Sequence, residues 1–368
     1  MRRALSLAVR GAGRVCPNPM VGAVIVKDDA VIGEGWHRKY GDLHAERDAL
    51  RSCRERGNDP RGAEMFVTLE PCCHYGKQPP CTDALIEAGI RRVYVGTGDP
   101  NPKVAGKGIR ILREHGIEVV EHVLEPECRA VNDIFFHFIT TGLPLIFLKY
   151  AMTLDGKTAC VTGDSRWVTG EEARRRVHED RNRLAAILVG VNTVLSDDPL
   201  LTCRIEGGRN PLRVICDSHL RTPLSSQIVR TAAEVPTVLA TLVTDPGRQA
   251  PYRKAGCRIL VTSEADGHVD LKDLMKQLGA GHVEGAGAVD SVLIEGGSTI
   301  AWSALRSGIV DRVQAYIAPK LFGGADAKTP VGGTGFPHPE DACVLSDLTC
   351  TRLGADFLIE GKLAGKQS

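Results

Sequence analysis

Apolar, β-branched stretches alternate with amphipathic ones along the first 141 residues of the chain. Two such stretches, 20–26 and 31–36, flank Lys27-Asp28-Asp29-Ala30, which predicts a β-hairpin. A helix is predicted from about His44 to Arg56, where Gly57 is a stop signal. The remaining pattern predicts strands at 65–69, 93–96 and 117–123 and helices at 81–88, 107–115 and 125–141.

A second series of the same kind follows the break at Gly142-Leu143-Pro144. Helices at about 170–183, 270–278 and 299–307 separate some of its strands, which is typical of an α/β protein with a mainly parallel sheet and crossover helices. We therefore predict two α/β domains, 1–143 and 144–368, with 125–141 as a linking helix. The strands predicted in the second domain are 145–150, 186–190, 212–216, 236–242, 258–261, 291–294 and 313–317.

Composition and charge exclude several classes of protein. The chain has 368 residues, of which 43% are apolar, enough for the packed cores of two domains. Its 46 Lys and Arg balance 45 Asp and Glu, so the net charge of +1 sets up no field that attracts nucleic acid or an anionic membrane. No apolar stretch approaches the ~18 residues that span a bilayer. The N-terminal MRRALSLAVR is interrupted by Arg10 too early for a signal peptide.

The twelve cysteines argue for a reducing compartment. A disulfide framework belongs to short secreted chains with small cores, and this chain is neither short nor poor in apolar residues. Most of the cysteines occur singly in apolar or helical surroundings, where a free thiol acts as a small hydrophobic group. We expect a cytoplasmic protein, in which only the cysteines between positions 72 and 81 need another explanation.

His44, Cys72 and Cys81 have the composition of a catalytic zinc site. One imidazole and two thiolates supply three ligands and leave the fourth tetrahedral position open for water, as a catalytic site requires. Glu46 lies two residues after His44, where its carboxylate could reach that water and shuttle its protons without binding the metal. The H-x-E…P-C arrangement is the one known from zinc nucleobase deaminases.

The cysteine spacing leaves two other interpretations open. Zinc deaminases usually carry the second and third ligands in a C-x-x-C pair, whereas eight residues separate Cys72 from Cys81 here. A structural zinc site would need a fourth ligand, and the candidates Cys73 and His74 are so near Cys72 that joint ligation is geometrically awkward. A site without any metal is the remaining interpretation. The catalytic site fits the residues best.

Several longer motifs resemble one known family. They are Pro17-Asn18-Pro19, the run 21–26, Gly33-Glu34-Gly35-Trp36-His37, His44-Ala45-Glu46, the run 70–81 and the run 99–108. Together they resemble the bifunctional deaminase–reductases of riboflavin biosynthesis, for which the Gly-basic-x-Pro-Pro run inside the cysteine gap is characteristic. The chain differs from the family at two points. It begins several residues later, so that a clipped first helix is expected, and it has Cys73 at a position where Ser is common.

The resemblance implies a cytidine-deaminase-like N-terminal domain. In it, His44, Cys72 and Cys81 would bind one Zn²⁺, and Glu46 would be the catalytic proton shuttle. The resemblance further implies that the pyrimidine and the ribose-phosphate of the substrate contact Asn18, His37, His74, Lys77, Asp99 and Asn101. Without the motif, the two asparagines would be interpreted as turn residues and the lysine as a solvated charge.

The second domain offers a weaker signal for a nucleotide site. It has no G-x-G-x-x-G motif, so a Rossmann fingerprint is absent. Glu295-Gly296-Gly297-Ser298-Thr299 follows a predicted strand and opens a predicted helix, where paired glycines and free N–H groups favour a phosphate. Such a turn is also common as a plain connection between a strand and a helix.

Four motifs of the second domain resemble the reductase domain of the same family, namely 148–157, 163–169, 197–202 and Ile317-Ala318-Pro319-Lys320. That domain has a dihydrofolate-reductase-like fold, which binds NADPH without a Rossmann motif. The resemblance implies NADPH contacts at Ala151, Trp167, Thr193, Asp197, Ser218, Gly297, Ser298, Thr299, Ile300, Ala301, Trp302 and Ser303. It implies substrate contacts at Ser165, Arg181, Leu201, Arg204 and Glu295, of which the two arginines suit a bidentate grip on phosphate.

The expected function is a bifunctional one in riboflavin biosynthesis. Zinc-dependent hydrolytic deamination of 2,5-diamino-6-(5-phosphoribosylamino)pyrimidin-4-one would precede NADPH-dependent reduction of the ribosyl group of 5-amino-6-(5-phosphoribosylamino)uracil to ribityl. The expected partners are these phosphorylated pyrimidines and further copies of the chain, with no nucleic acid and no membrane. Two alternative functions are left open. One is a deaminase of RNA or free nucleosides whose second domain binds RNA, and the other is a non-catalytic structural zinc protein.

Overall fold

The boundary between the two halves falls close to the break at Gly142-Leu143-Pro144. A computed structural model, which describes residues 1–101 and 104–364, divides the chain into the units Met1–Thr141 and Gly142–Ser368. The predicted boundary between 143 and 144 lies two residues from this division. Pro102 and Lys103, which belong to the motif 99–108, and residues 365–368 lie outside the described residues.

The N-terminal unit is built on a five-stranded mixed sheet. Its strand order is β2-β1-β3-β4-β5, with antiparallel pairs among the first three strands and parallel pairs among the last three. The elements are α1 (Arg2–Ala8), β1 (Gly22–Lys27), β2 (Ala30–Trp36), α2 (Ala45–Glu55), β3 (Glu64–Leu69), α3 (Cys81–Glu87), β4 (Arg92–Thr97), α4 (Lys107–Glu114), β5 (Glu118–Val120), α5 (Glu125–Val131) and α6 (Asp133–Thr141).

The predicted hairpin is confirmed, and its turn has the expected chemistry. Lys27 pairs with Ala30, and the two residues between them, Asp28 and Asp29, have φ values of 50° and 60°. Positive φ at both central residues is the mark of a type I′ turn, which matches the twist of the strands. A Cβ on Gly35 would lie 2.2 Å from the Ala49 backbone nitrogen. The glycine therefore lets α2 pack closely on β2.

The predicted linking helix at 125–141 is interrupted. The structure has two helices there, α5 and α6, because Asn132 leaves the helical conformation with φ −114° and ψ 24°. The Asn132 side chain is buried and makes two hydrogen bonds to the backbone of Met20. A partner 112 residues away could not be read from the local pattern.

The C-terminal unit contains a nine-stranded sheet of order β10-β9-β8-β7-β13-β6-β14-β16-β15, parallel from β10 to β14. The mainly parallel sheet is thus confirmed.

The helices and strands of the C-terminal unit are β6 (Leu145–Thr153), α7 (Glu171–Arg183), β7 (Ala186–Gly190), α8 (Val191–Asp197), β8 (Leu212–Cys216), α9 (Gln227–Arg230), β9 (Thr237–Thr241), α10 (Pro246–Lys254), β10 (Arg258–Val261), β11 (Glu264–Ala265), β12 (His268–Val269), α11 (Leu271–Gly279), β13 (Ser291–Glu295), α12 (Ser298–Arg306), β14 (Arg312–Ala318), β15 (Leu345–Leu353) and β16 (Asp356–Leu363). Strands β11 and β12 form a separate two-stranded sheet.

Alternation within the central strands places a core on each face of this sheet. On β7, Leu188 packs into one apolar cluster, while Ile187 and Val189 pack into another. All three are fully buried, as expected of a parallel strand covered by helices on both faces. The sequence pattern missed the antiparallel pair β15 and β16, because most of β15 is exposed and lacks an apolar face.

None of the described helices combines the length and apolarity needed to cross a membrane. Among the singly placed cysteines, Cys53, Cys128, Cys216 and Cys257 are buried, as expected of thiols that act as small hydrophobic groups, whereas Cys343 and Cys350 are exposed.

Candidate active sites

His44, Cys72 and Cys81 come together at the ends of three elements of the N-terminal unit. His44 immediately precedes α2, Cys72 follows β3, and Cys81 is the first residue of α3. His44 Nδ1 lies 3.3 Å from Cys72 Sγ and 3.5 Å from Cys81 Sγ. Tetrahedral zinc bonds of 2.0–2.3 Å put neighbouring ligand atoms about 3.5 Å apart, so the three atoms fit one Zn²⁺.

The protonation of this group also suits a metal. Hydrogen bonds from Cys81 and His44 hold the pKa of Cys72 well below its usual range, which favours the thiolate that binds zinc. Within the described residues, the cluster able to hold a metal contains His44, Cys72 and Cys81 and does not extend to Cys73 or His74. The geometry is therefore that of three protein ligands with an open fourth position.

Glu46 lies in the first turn of α2, beside this cluster. Its side chain is buried, and burial together with the Cys72 charge raises the pKa of Glu46 to about 7. A carboxyl group with a pKa near the working pH both accepts and donates protons efficiently. Glu46 is outside the ligand set but lines the same pocket as His44 and Cys72.

A pocket of about 240 Å³ opens next to the cluster. Of the predicted deaminase residues, only the fully buried Cys81 is missing from its lining. The predicted residues that line it are Asn18, His37, His44, Glu46, Cys72, His74, Lys77, Asp99 and Asn101. Sequence reasoning missed Tyr40, whose ring lies 4.1 Å from the Lys77 Nζ, and Phe135 from α6.

Hydrogen bonds orient the polar groups of this pocket. His37 Nδ1 lies 3.0 Å from the Leu43 carbonyl oxygen, which fixes Nδ1 as the donor, and burial lowers the pKa of His37. Its Nε2 then accepts from the Asn18 amide at 3.2 Å. Burial raises the pKa of Asp99 to about 6. His74 Nδ1 is buried without a hydrogen-bond partner among the described residues, as expected of a group that meets a ligand.

The predicted reductase residues gather at two adjoining pockets of the C-terminal unit, of about 470 and 130 Å³. Asn192, Thr193, Gly297 and Thr299 line both pockets. The larger pocket is lined by the predicted residues Ala151, Ser165, Arg181, Thr193, Asp197, Leu201, Glu295, Gly297, Ser298 and Thr299. The smaller one is lined by Thr193, Ser218, Gly297, Thr299, Ile300 and Ser303.

A glycine pair lies between β13 and α12, where Gly296 lines the larger pocket and Gly297 lines both pockets. Gly296 and Gly297 have φ values of 87° and 80°, which other residues rarely adopt. A Cβ on Gly297 would lie 3.2 Å from Thr193 Oγ1. The bare backbone and the free N–H groups at the start of α12 fit the diphosphate of a dinucleotide such as NADPH.

Four of the predicted contact residues line neither pocket. Ala301 and Trp302 are buried, because residues 298–303 are helical and only one face of this helix lines the pockets. Trp167 is 59% exposed and lies against the Arg174 guanidinium. The Arg204 Nε lies 3.0 Å from His178 Nε2.

The larger pocket also contains an ionic group that sequence reasoning did not foresee. Arg181 donates two hydrogen bonds to the Glu295 carboxylate, and Lys149 Nζ lies 3.7 Å from Glu295 Oε2. These cations hold the pKa of Glu295 low, at about 2, against the opposing effect of burial. Lys149 could have been found from its position near the end of a predicted strand that lies beside the glycine turn.

The zinc-type cluster beside a strand end and the nucleotide-type pockets on a parallel sheet define a two-unit α/β enzyme. Residues 1–97 match the cytidine and deoxycytidylate deaminase zinc-binding region, and residues 144–359 match the RibD C-terminal domain. The N-terminal unit has the cytidine-deaminase-like fold and the C-terminal unit the dihydrofolate-reductase-like fold, as predicted.

The chain belongs to the RibD family of riboflavin biosynthesis proteins. It is 49% identical to the riboflavin biosynthesis protein RibD of Actinobacillus pleuropneumoniae, over 98% of this chain and 93% of that protein. Identity to the RibD of Aquifex aeolicus is 40%, over 98% and 96% of the two chains.

Solved structures give the same relationship. The diaminohydroxyphosphoribosylaminopyrimidine deaminase/5-amino-6-(5-phosphoribosylamino)uracil reductase of Thermotoga maritima superimposes with a TM-score of 0.82 at 38% identity, covering 99% of this chain and 97% of that one. RibD of Acinetobacter baumannii gives a TM-score of 0.85 at 35% identity, with the same coverage.

Proposed function

We propose that this chain is a bifunctional enzyme of riboflavin biosynthesis that deaminates a phosphoribosylamino-pyrimidine and then reduces its ribosyl group to ribityl. The observation that carries the proposal is the pocket lined by Glu46, His44 and Cys72, beside which the buried Cys81 completes the cluster. The second pair of pockets, around Gly297, supports the reductive step. The domains are 1–143 and 144–368, and the cofactors are Zn²⁺ and NADPH.

In the deamination, Glu46 moves protons. Bound zinc supplies the Lewis acidity that makes water a nucleophile near neutral pH. Glu46 accepts a proton from the attacking water and delivers it to the amino group, so that the ring carbon gains oxygen and loses ammonia. Asn18, Asp99 and Asn101 hold the pyrimidine and the ribose, and Lys77 pairs with the phosphate.

In the reduction, the C-terminal unit positions two ligands against each other. NADPH, when bound, would supply the hydride for this reduction. The glycine turn would hold its diphosphate, and the larger pocket would hold the substrate beside Ser165, Arg181 and Glu295. Positioning, more than a dedicated acid, carries this half-reaction.

The smaller pocket receives the adenosine end of NADPH. Its lining contains Ser218, His219, Arg221 and His268 and, among the described residues, no carboxylate. Arg221 is oriented by a hydrogen bond of 3.2 Å to Asn192 Oδ1. An arginine with two histidines suits the extra phosphate that distinguishes NADPH from NADH.

A cytoplasmic location and assembly into homo-oligomers complete the proposal. Buried single cysteines such as Cys53 and Cys128 suit a reducing compartment, in which thiols stay reduced. The edge strand β15 exposes its backbone and side chains, with Leu348 61% exposed, and such an edge is a template for pairing with a second copy. Light scattering that gives the mass of a single chain would contradict the oligomer.

The decisive experiment combines a coupled assay with Glu46→Gln. Wild-type enzyme should release ammonia from the aminated substrate and then oxidise NADPH. The variant should keep its zinc but lose ammonia release by ~10²–10⁴-fold or more, because the amide cannot take a proton. Given the already deaminated intermediate, it should oxidise NADPH at close to the wild-type rate.

Other outcomes would contradict specific parts of the proposal. Substantial ammonia release by the variant would show that Glu46 is not the proton shuttle. Loss of both activities, with zinc content and fold unchanged, would contradict the assignment of the two reactions to separate sites. Wild-type enzyme that is inactive on the pyrimidine but binds RNA with a steep salt dependence favours the RNA-acting rival.

A further inference from the structure

Asn132 makes an unusual reciprocal contact. Its Nδ2 donates to the Met20 carbonyl oxygen at 2.9 Å, and its Oδ1 accepts from the Met20 N–H at 2.8 Å. The residue is only 2% exposed. One side chain therefore satisfies both the N–H and the carbonyl group of Met20, as a neighbouring β-strand would. Met20 itself lies outside the sheet, because β1 begins at Gly22.

The segment that Asn132 holds carries part of the deaminase pocket. Asn18, two residues before Met20, lines the pocket and donates to His37. The His37 ring in turn lies edge-on to the His44 ring, with centroids 5.4 Å apart. A continuous chain of contacts thus leads from Asn132 to the zinc ligands.

A second observation places the same helical segment at the site. Phe135, three residues after Asn132, lines the pocket from α6. Both residues lie beyond residue 97, where the match to the zinc-binding region ends. The stretch that sequence reasoning treated as a linker is therefore a wall of the pocket.

We propose that Asn132 is a positioning residue for the deamination reaction, which holds Asn18 at the distance from the zinc site that the pyrimidine requires. The inference rests on the proposed function. Displacing a substrate-binding group by about 1 Å costs roughly 10²-fold in kcat/KM, and loss of the two bonds to Met20 frees its segment to move by such an amount. Zinc binding should not depend on Asn132, because all three ligands lie on other elements.

The test uses Asn132→Ala in the full chain, with Asn58→Ala as its matched control. Asn58 also donates a side-chain hydrogen bond to a backbone carbonyl of the same unit, that of Ile32 at 3.1 Å, but it does not line the pocket. In Asn132→Ala, kcat/KM for ammonia release should fall roughly 10- to 100-fold, mainly through KM. Its zinc content and its NADPH oxidation with deaminated intermediate should stay at wild-type levels, and Asn58→Ala should leave KM unchanged.

Hydrogen exchange gives a readout that does not depend on activity. The backbone amides of Asn18 and Met20 should exchange faster in Asn132→Ala than in wild type or Asn58→Ala. If Asn132→Ala fails to fold, Asn132→Asp is measured instead, since it keeps the acceptor for Met20 N–H but sets an oxygen against the Met20 carbonyl; the same changes are expected.

An unchanged KM with a lowered melting temperature overturns the proposal, because it shows a role in stability alone. Unchanged exchange at the amides of Asn18 and Met20 overturns it as well. If wild-type enzyme releases no ammonia, the proposed function fails, while the exchange measurement still decides whether Asn132 holds the segment.

Discussion

Arg181 and Glu295, 114 residues apart in the chain, form a buried bidentate ion pair in the larger pocket of the C-terminal unit. Nε donates to Oε1 at 2.8 Å and Nη2 donates to Oε2 at 2.9 Å, while Nη1 donates to the Thr202 carbonyl oxygen at 3.0 Å. Three of the five guanidinium donors are thus engaged within the protein. Arg181, which is expected to bind the substrate phosphate, is thus held in place by Glu295, which is expected to contact the same substrate.

The two partners of this pair should differ in their effect on stability. Removing one partner of a buried pair costs about 3–5 kcal/mol. Glu295→Gln leaves both Arg181 and Lys149 without a carboxylate, whereas Arg181→Met leaves Lys149 paired with Glu295. Glu295→Gln should therefore lower the midpoint of thermal unfolding more than Arg181→Met does. Equal effects, or the reverse order, would show that Lys149 does not share the charge.

Zinc content tests the ligand set directly. Cys81→Ala leaves two protein ligands and should abolish tight binding of about one zinc per chain, measured by elemental analysis. Cys73→Ser is the matched control, since Cys73 adjoins a ligand but lies outside the described metal cluster. It should keep the metal. Undiminished zinc in Cys81→Ala would remove Cys81 from the site.

Gly297→Val should weaken NADPH binding, measured by calorimetry. The valine would have to adopt a φ near 80° and would meet Thr193 Oγ1 at the shared wall of the two pockets. Gly308→Val is the control, because Gly308 follows the same helix with φ 68° and has open space around it. Both variants carry backbone strain, and only the first obstructs the pocket. Equal NADPH affinities in the two would contradict the placement of the cofactor.

Preference for NADPH over NADH should depend on Arg221. Losing a charge-assisted contact with a phosphate costs about 1.5–3 kcal/mol, or roughly 10- to 150-fold in affinity. Arg221→Gln should weaken NADPH binding by that factor and leave NADH binding almost unchanged. Arg230→Gln, an exposed position outside the lining of both pockets, should change neither. Parallel losses for both nucleotides would place the extra phosphate elsewhere.

His178 should make stability depend on pH. Burial, together with Arg181 and Arg204, lowers the pKa of His178 to about 4, from an ordinary value of 6.5. Between these values the unfolded chain binds more protons than the folded one, so the free energy of unfolding falls as the pH is lowered from 6.5 towards 4. Denaturation across this range should show a weaker pH dependence in His178→Gln than in wild type. Identical slopes would contradict the shift.

Local chemistry allowed much of the deaminase site to be predicted. His44 and Glu46 are two residues apart at a helix start, and each cysteine adjoins a proline that marks the end of one element or the start of the next. Such residues are placed by the elements that carry them, so their convergence follows from the order of the elements. The turn at Asp28 and Asp29 and the glycine pair at Gly296 are also local, because backbone conformation alone demands those residues.

Contacts between distant parts of the chain were decided only by the tertiary structure. The pairing of Asn132 with Met20 breaks a helix that the local pattern predicts to continue. Trp302, a predicted cofactor contact, is buried, packs against Phe336 and lines neither pocket of the C-terminal unit. The sequence by itself determined which chemical groups are present and most of the secondary elements that carry the deaminase residues. The fold decided which side chains face each pocket, because that depends on packing between residues far apart in the chain, which no local pattern records.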